Sequence, residues 1–450
     1  MPRVSRRAFA ASAAALPAAS YAQIPGANDR VRLGCIGVGN RGDQLLDAFL
    51  THADQQVVAV ADVNAPYLPA AAAKVAKASG SSPDTVKEYR RVLDRRDVDA
   101  VVIATPDHWH ALQFVDACHA GKHVYCEKPL SLTISEGRRM ADVARQTRRV
   151  TQVGLHRRSS PLVAEAVKLI RDGAIGKVTV AKCYHHRNET PMGIGAPADG
   201  EPPAGLDYEL WLGPAPKVPF NRNKVLYKFR WFWDYSGGQL TNFGTHYLDV
   251  IQWALNQEAP KAVACLGGRF GTEDNRQIPD TLEAVWQYDG CLVTFSQFNC
   301  NAAAGNVKSG TIEFRGTQGT LVLNDAATVL EILPENVRVE ELPALSPLER
   351  EANAKQGRAV RQARMPDVRR AAGDPTPLHA RSFLDGVKTG SATTCPAEVG
   401  HRSTTATLLA RVALMQGKTL QWDAKAERIT NDADSNRLLG YEYRAPYKLG

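Results

Sequence analysis

Between residues 31 and 155, short unbroken apolar runs alternate with stretches whose apolar residues recur every three or four positions. The runs starting at Val31, Val57, Asp99, His123 and Val150 read as strands, and the continuous run from Asp99 to Pro106 has the look of one buried on both faces. The intervening stretches predict helices through Leu45, Leu46, Phe49 and Leu50, then over 65–79, 91–96, 108–120 and 135–146. Strands and helices alternating at this rhythm predict an α/β fold with a doubly wound parallel sheet over 31–155, binding its ligand at the strands' carboxyl ends.

Beyond residue 156 the period changes. A helix over 162–172 precedes an alternating strand over 177–184, and residues 190–221 carry no periodicity. An aromatic segment, Phe229–Tyr235, leads to Gly237-Gly238 and a helix over 241–255. Two strands flanking Asp289-Gly290 read as a hairpin, as do two flanking Gly316–Gly319. Residues 156–450 therefore predict a substrate-binding α+β domain with an open, largely antiparallel sheet. Within it, residues 340–375 are charged and proline-spaced and read as a surface excursion or lid; a helix over 399–416 and a tail bearing Tyr441, Tyr443 and Tyr447 close the chain.

Residues 1–22 stand apart. Ser5-Arg6-Arg7-Ala8-Phe9, an alanine-rich run and Ser20-Tyr21-Ala22 follow the order of a twin-arginine export signal, which predicts a periplasmic protein. The run is too short and too weakly apolar to span a bilayer, so no integral membrane segment is expected. The net charge of +8 falls to +5 without Arg3, Arg6 and Arg7, and six basic residues against one acid between Lys355 and Arg370 account for the rest. A charge this local does not support nucleic-acid binding. The eight cysteines form no C-x-x-C pair and are expected to be mostly buried thiols.

The candidate chemistry begins in the first turn. Gly37, Gly39 and Gly42 fit G-x-G-x-x-G between a strand and a helix, the pattern that places a pyrophosphate at a helix N-terminus, with Asn40 and Arg41 inside it. Asp62 lies twenty residues past Gly42 at the end of the next strand. There it would accept the ribose hydroxyls of NAD and oppose the 2′-phosphate of NADP, although NADP remains open. Thr105 and Pro106, with His108 and His110 after them, and Glu127 with Lys128 lie at later strand ends facing the same crevice, and are also assigned to the cofactor. Lys128 before a proline is aimed out of helical geometry and suits stabilisation of a developing alkoxide. Asn242, His246 and Asp249 fall near one helix face, and His246 is the candidate proton acceptor, against a plain helix histidine. The apolar residues Tyr247, Leu248, Ile251 and Leu255 are expected to take the core side and leave His246 facing elsewhere. His156, Arg157, Tyr235 and Asp249 are candidates for the substrate. The histidines show no complete metal-ligand spacing, so no metal is called. The aromatic run could stack on sugars or fill a core.

Glu127-Lys128-Pro129, taken with Gly237–Asp249, Thr105–Ala111 and Gln152–Gly154, resembles the Gfo/Idh/MocA oxidoreductases, from about residue 31 to the end. The resemblance implies a Rossmann domain, then an α/β domain whose open sheet often forms the subunit interface, hence a homo-oligomer. It implies oxidation of a secondary hydroxyl on a sugar, glycoside or polyol, with Lys128 as the family lysine, often before a cis proline, and His246 as the base. Some relatives use NAD in a redox-neutral glycoside cleavage, which is the alternative. Asn242 departs from the aspartate that many members carry four residues before the histidine. An amide can orient a partner but cannot pass the proton on.

Overall fold

The computed structural model describes residues 30–302, 312–338, 346–349, 360–362 and 369–450. The export-signal reading of residues 1–22 lies outside them, as does most of 340–375. Six parallel strands form the first sheet: β1 Val31–Ile36, β2 Gln55–Ala61, β3 Asp84–Val86, β4 Ala100–Ile103, β5 His123–Cys126 and β6 Thr151–Val153. Their order is β3-β2-β1-β4-β5-β6, so the direction of winding reverses beside β1. Strands β4 and β5 are buried almost throughout because helices cover both faces, which is why they read as unbroken apolar runs. The helix Ile134–Thr147 starts on a capping box, Thr133 with Glu136.

The second sheet holds β7 Val178–His186, β8 Ala262–Gly268, β9 Thr281–Tyr288, β10 Cys291–Phe298, β11 Ile312–Gly316, β12 Gly319–Leu323 and β13 Val329–Pro334. A separate pair, β14 Asn336–Arg338 and β15 Val360–Gln362, lies outside it. The edge strands β16 Arg369–Ala371, β17 Leu420–Asp423 and β18 Arg428–Ile429 complete ten strands in the order β16-β13-β12-β11-β7-β10-β9-β8-β17-β18. All its ladders are antiparallel except β7 with β10, whose pairing is parallel. In β9 every second residue is buried, as expected of a sheet with one packed face. Its core is shared with the helices Pro161–Arg171, Gly244–Leu255 and Ala397–Gln416.

Three expectations need correction. The helix over 241–255 is two helices, Gly238–Asn242 and Gly244–Leu255, and Gly238 begins the first with φ of 69°. Its second part is buried on nearly every side, so Tyr247, Leu248 and Ile251 do not leave His246 facing elsewhere. Residues 376–389 form a helix absent from the periodicity reading. Its Phe383 stands edge-on to Phe49 and Tyr125, so this late segment returns to the first sheet. Tyr443, Tyr447 and Leu449 pack there as well. The chain after residue 156 thus does not form one spatially separate body. Seven cysteines are buried and Cys300 is half-buried, and all eight are free thiols.

Candidate active site

The cleft at the carboxyl ends of the first sheet begins where β1 turns into the helix Asn40–Leu50. Gly37 takes φ of 80°, and a Cβ there would lie 2.8 Å from the Ala104 carbonyl oxygen. At Gly42 a Cβ would come within 2.0 Å of the Gly37 carbonyl oxygen, so helix and turn close only around glycine. Gly39 caps the helix without a side-chain hydrogen bond, and its first amides are left to an anionic ligand. Asp62 is held at the end of β2 by N–H donors from Val38 at 2.9 Å and Asn64 at 2.8 Å. Burial raises its pKa, against these backbone bonds. The glycine cradle, the uncapped helix and the fixed carboxylate fit a dinucleotide. Lys87, from the end of β3, also reaches this part of the cleft and pairs with Asp207 at 3.3 Å. No local spacing marks it, because parallel pairing alone brings β3 beside β2.

The cleft has a volume of about 530 Å³ and extends from Asp62, Asn64 and Tyr67 to Lys128 and Asn242. Gly37, Gly39, Asn40, Arg41, Thr105, Pro106 and Glu127 line it, as the sequence indicated. Arg41 donates to Glu127 at 2.9 Å. Burial opposes the charge on Glu127, but Arg41 and then Lys128 outweigh it and hold its carboxyl below the usual range. Lys128, joined to Pro129 by a cis peptide bond, donates from Nζ to Asn242 Oδ1 at 2.6 Å. Asn242 in turn donates to Gln239 at 2.8 Å, which fixes the amide with its oxygen toward the lysine. Burial brings the Lys128 ammonium down to about 8, opposed by Glu127 and assisted by Arg230.

Four residues beyond Asn242, in the next helix and outside the cleft lining, His246 stands edge-on to His156 with ring centroids 4.9 Å apart. Neither Nδ1 has a hydrogen-bond partner among the described residues. Burial, then the fields of His156 and Lys128, hold His246 well below its usual pKa. Near neutral pH it is an uncharged imidazole, the form that can accept a proton.

Other assigned residues lie elsewhere. His108 and His110 do not line the cleft: His108 is wholly buried with Nε2 against the Trp211 carbonyl at 3.0 Å. His110 spans the carbonyls of Pro129 at 2.8 Å and Thr105 at 2.9 Å, supporting two strand ends. Helix Asp107–His119 begins directly after Pro106, so its first turn is packed inward. Tyr235 is buried between Trp211 and His108, and with Trp231 and Phe232 it forms a small core, not an open stacking face. Asp249 is buried and satisfied by Arg158 at 2.8 Å and Ser403 at 2.7 Å. Arg157 lies over Tyr247 and bonds Asp325. Neither these residues nor His156 line the cleft, because packing and partners from distant segments take up their side chains. Conversely, Tyr67 and Tyr227, which no spacing marks, line it, as do Trp109, Phe229 and Arg230, which fall inside the Thr105–Ala111 and Phe229–Tyr235 stretches but are assigned no role by the sequence. Among the described residues no group of three His, Cys, Asp or Glu side chains could hold a metal.

A glycine turn, a fixed strand-end acid and a buried lysine held on an asparagine in the same cleft define a dinucleotide-dependent oxidoreductase with an appended sheet domain. The chain matches the oxidoreductase family's NAD-binding Rossmann fold over residues 31–155 and its C-terminal alpha/beta domain over 163–316 and 355–449. It belongs to the Gfo/Idh/MocA oxidoreductase family, and its N-terminal domain is that family's NAD-binding Rossmann fold. It is 40% identical over 278 residues to levoglucosan dehydrogenase of Pseudarthrobacter phenanthrenivorans, covering 57% of this chain and 63% of that one. It is 33% identical over 123 residues to alpha-N-acetylgalactosaminidase of Shewanella oneidensis, covering 26% and 27%. The chain therefore spans less than two thirds of these curated relatives. The structure of a levoglucosan dehydrogenase in complex with NADH superposes with a TM-score of 0.63 at 20% identity, covering 87% of this chain and 99% of that one. That likeness is one of fold.

Proposed function

We propose that the protein oxidises a secondary hydroxyl of a sugar, glycoside or polyol, using NAD. The observation that carries this reading is the contact of Lys128 Nζ with Asn242 Oδ1 at 2.6 Å, four residues before the buried neutral His246. NAD, when bound, supplies the hydride acceptor. Lys128 donates a hydrogen bond to the substrate oxygen and stabilises the charge that develops on it. His246 takes the hydroxyl proton. Asn242 holds the lysine in place and carries no proton onward. A panel of sugars and polyols with NAD should produce NADH absorbance. If no member is oxidised, and none releases an aglycone, the reading is wrong.

A second reading is redox-neutral cleavage of a glycoside, in which the abstracted hydride is returned after elimination. The glycosyl hydrolase family 109 relatives, 33–34% identical over part of the chain, support it. Aglycone release with catalytic NAD and no net NADH would distinguish it. Export by the twin-arginine route to the periplasm, and assembly through the open face of the ten-stranded sheet, belong to the same proposal. The supporting features are Arg6-Arg7 and the exposed Val285 and Leu292 on that sheet.

A further inference from the structure

Four carboxylates line the cleft, and each is already engaged. Asp62 takes two backbone N–H groups, Glu88 pairs with Arg90 at 3.0 Å, Glu127 pairs with Arg41, and Asp107 accepts the Ser236 hydroxyl at 2.5 Å. Of the four cations lining it, Arg41, Lys87 and Lys128 also have partners. Arg230 has neither a hydrogen bond nor an ion pair with any described residue, and its Nε is buried without an acceptor. Its guanidinium lies over the Tyr227 ring at 3.8 Å. It is within electrostatic reach of Lys128, Asp107 and His185, which places it at the hydride-transfer end of the cleft. A buried donor left unpaired is destabilising, so this one is held ready for an acceptor that arrives from outside. A planar fork stacked on an aromatic ring is preorganised for two parallel bonds to an anionic oxygen group.

We propose that the sugar recognised by this site is anionic, carrying a carboxylate or phosphate that Arg230 binds beside Lys128. This rests on the reading of the site as one for sugars. The test titrates the NADH-loaded protein with glucuronate, galacturonate and mannuronate, with glucose 6-phosphate and galactose 6-phosphate, and with the neutral parent hexoses, following cofactor fluorescence. At least one anionic sugar should bind roughly 10- to 100-fold more tightly than its neutral parent, the range expected for charge-assisted bonds. Uronates against phosphates then distinguishes the two anions. Arg230→Gln should reduce the ratio to about twofold or less, and Arg230→Lys should restore part of it, with thermal melts confirming that both variants fold. Equal binding of charged and neutral sugars, or a preference that survives Arg230→Gln, overturns the proposal. Neutral sugars oxidised with no anionic preference would leave the oxidoreductase reading standing. Arg230-dependent binding of an anionic sugar without turnover would do the reverse.

Discussion

The two ends of the cleft are built differently. The cofactor end is local: Gly37, Gly39, Gly42 and Asp62 fall within one strand–helix–strand unit. The reacting end sets Lys128 from the end of β5 and Asn242 from the helix Gly238–Asn242 on the cleft wall, while His246 and His156 pack against each other outside its lining. The first end uses backbone amides and one fixed carboxylate, which any dinucleotide fold can supply. The second uses buried charge and neutral imidazole, which depend on desolvation and therefore on packing from both sheets. Generic binding is encoded in short range, and chemistry in long range.

This contrast is open to test. His246→Ala should lower kcat by about 100- to 10,000-fold, the range for a general base, while the Kd for NAD stays within about twofold. An equal loss of cofactor binding would show that the two ends are not separable. Phe383→Ala tests the opposite link, because the helix Thr376–Thr389 stiffens the cofactor end from afar through Phe49 and Tyr125. A loss of about 3–5 kcal/mol in unfolding free energy is expected for a fully buried phenylalanine, read by denaturant titration. A change below 1 kcal/mol would mean that this return helix is dispensable.

Asp62→Ala should narrow or reverse the preference for NAD over NADP, which corresponds to about 1.5–3 kcal/mol, or roughly 10- to 100-fold. Equal affinities in the unaltered protein would break the reading of this strand end. Lys87, brought to the same region by sheet pairing, would then be the cation to replace next.

The smallest effect concerns pH. With Lys128 brought down to about 8, its ammonium donates below that pH and is lost above it. The profile of kcat/KM should therefore fall on the alkaline side near 8. It should also fall on the acid side below the ordinary histidine range, as His246 becomes protonated. Asn242→Asp places a carboxylate on the lysine, favours its charged form and should move the alkaline limb upward by about one unit. An unmoved limb would assign it to another group.

The strand runs, the glycine turn, Asp62 and the Lys128 position were legible in the sequence because each depends on neighbours within a few residues. A short apolar run such as Ala100–Ile103, stopped by Thr105-Pro106, reads as a doubly buried strand, and Gly42 tolerates no Cβ against the preceding turn. The helix Thr376–Thr389 was not legible, since its apolar face is defined by Phe49 and Tyr125 more than 250 positions earlier. Asp249 and Tyr235 have the side chains of a site and were assigned to one. Their neighbours Arg158, Ser403 and Trp211 come from distant segments and use them as structure. Arg230 shows the reverse case, an arginine to which the sequence assigns no role and which folding places in the cleft with no hydrogen-bond or ion-pair partner among the described residues. The sequence alone determined which residue types were available and where the backbone could turn. Which of them remained unsatisfied, and so free for chemistry, was decided only by tertiary packing, because hydrogen bonding and desolvation depend on what lies across the fold.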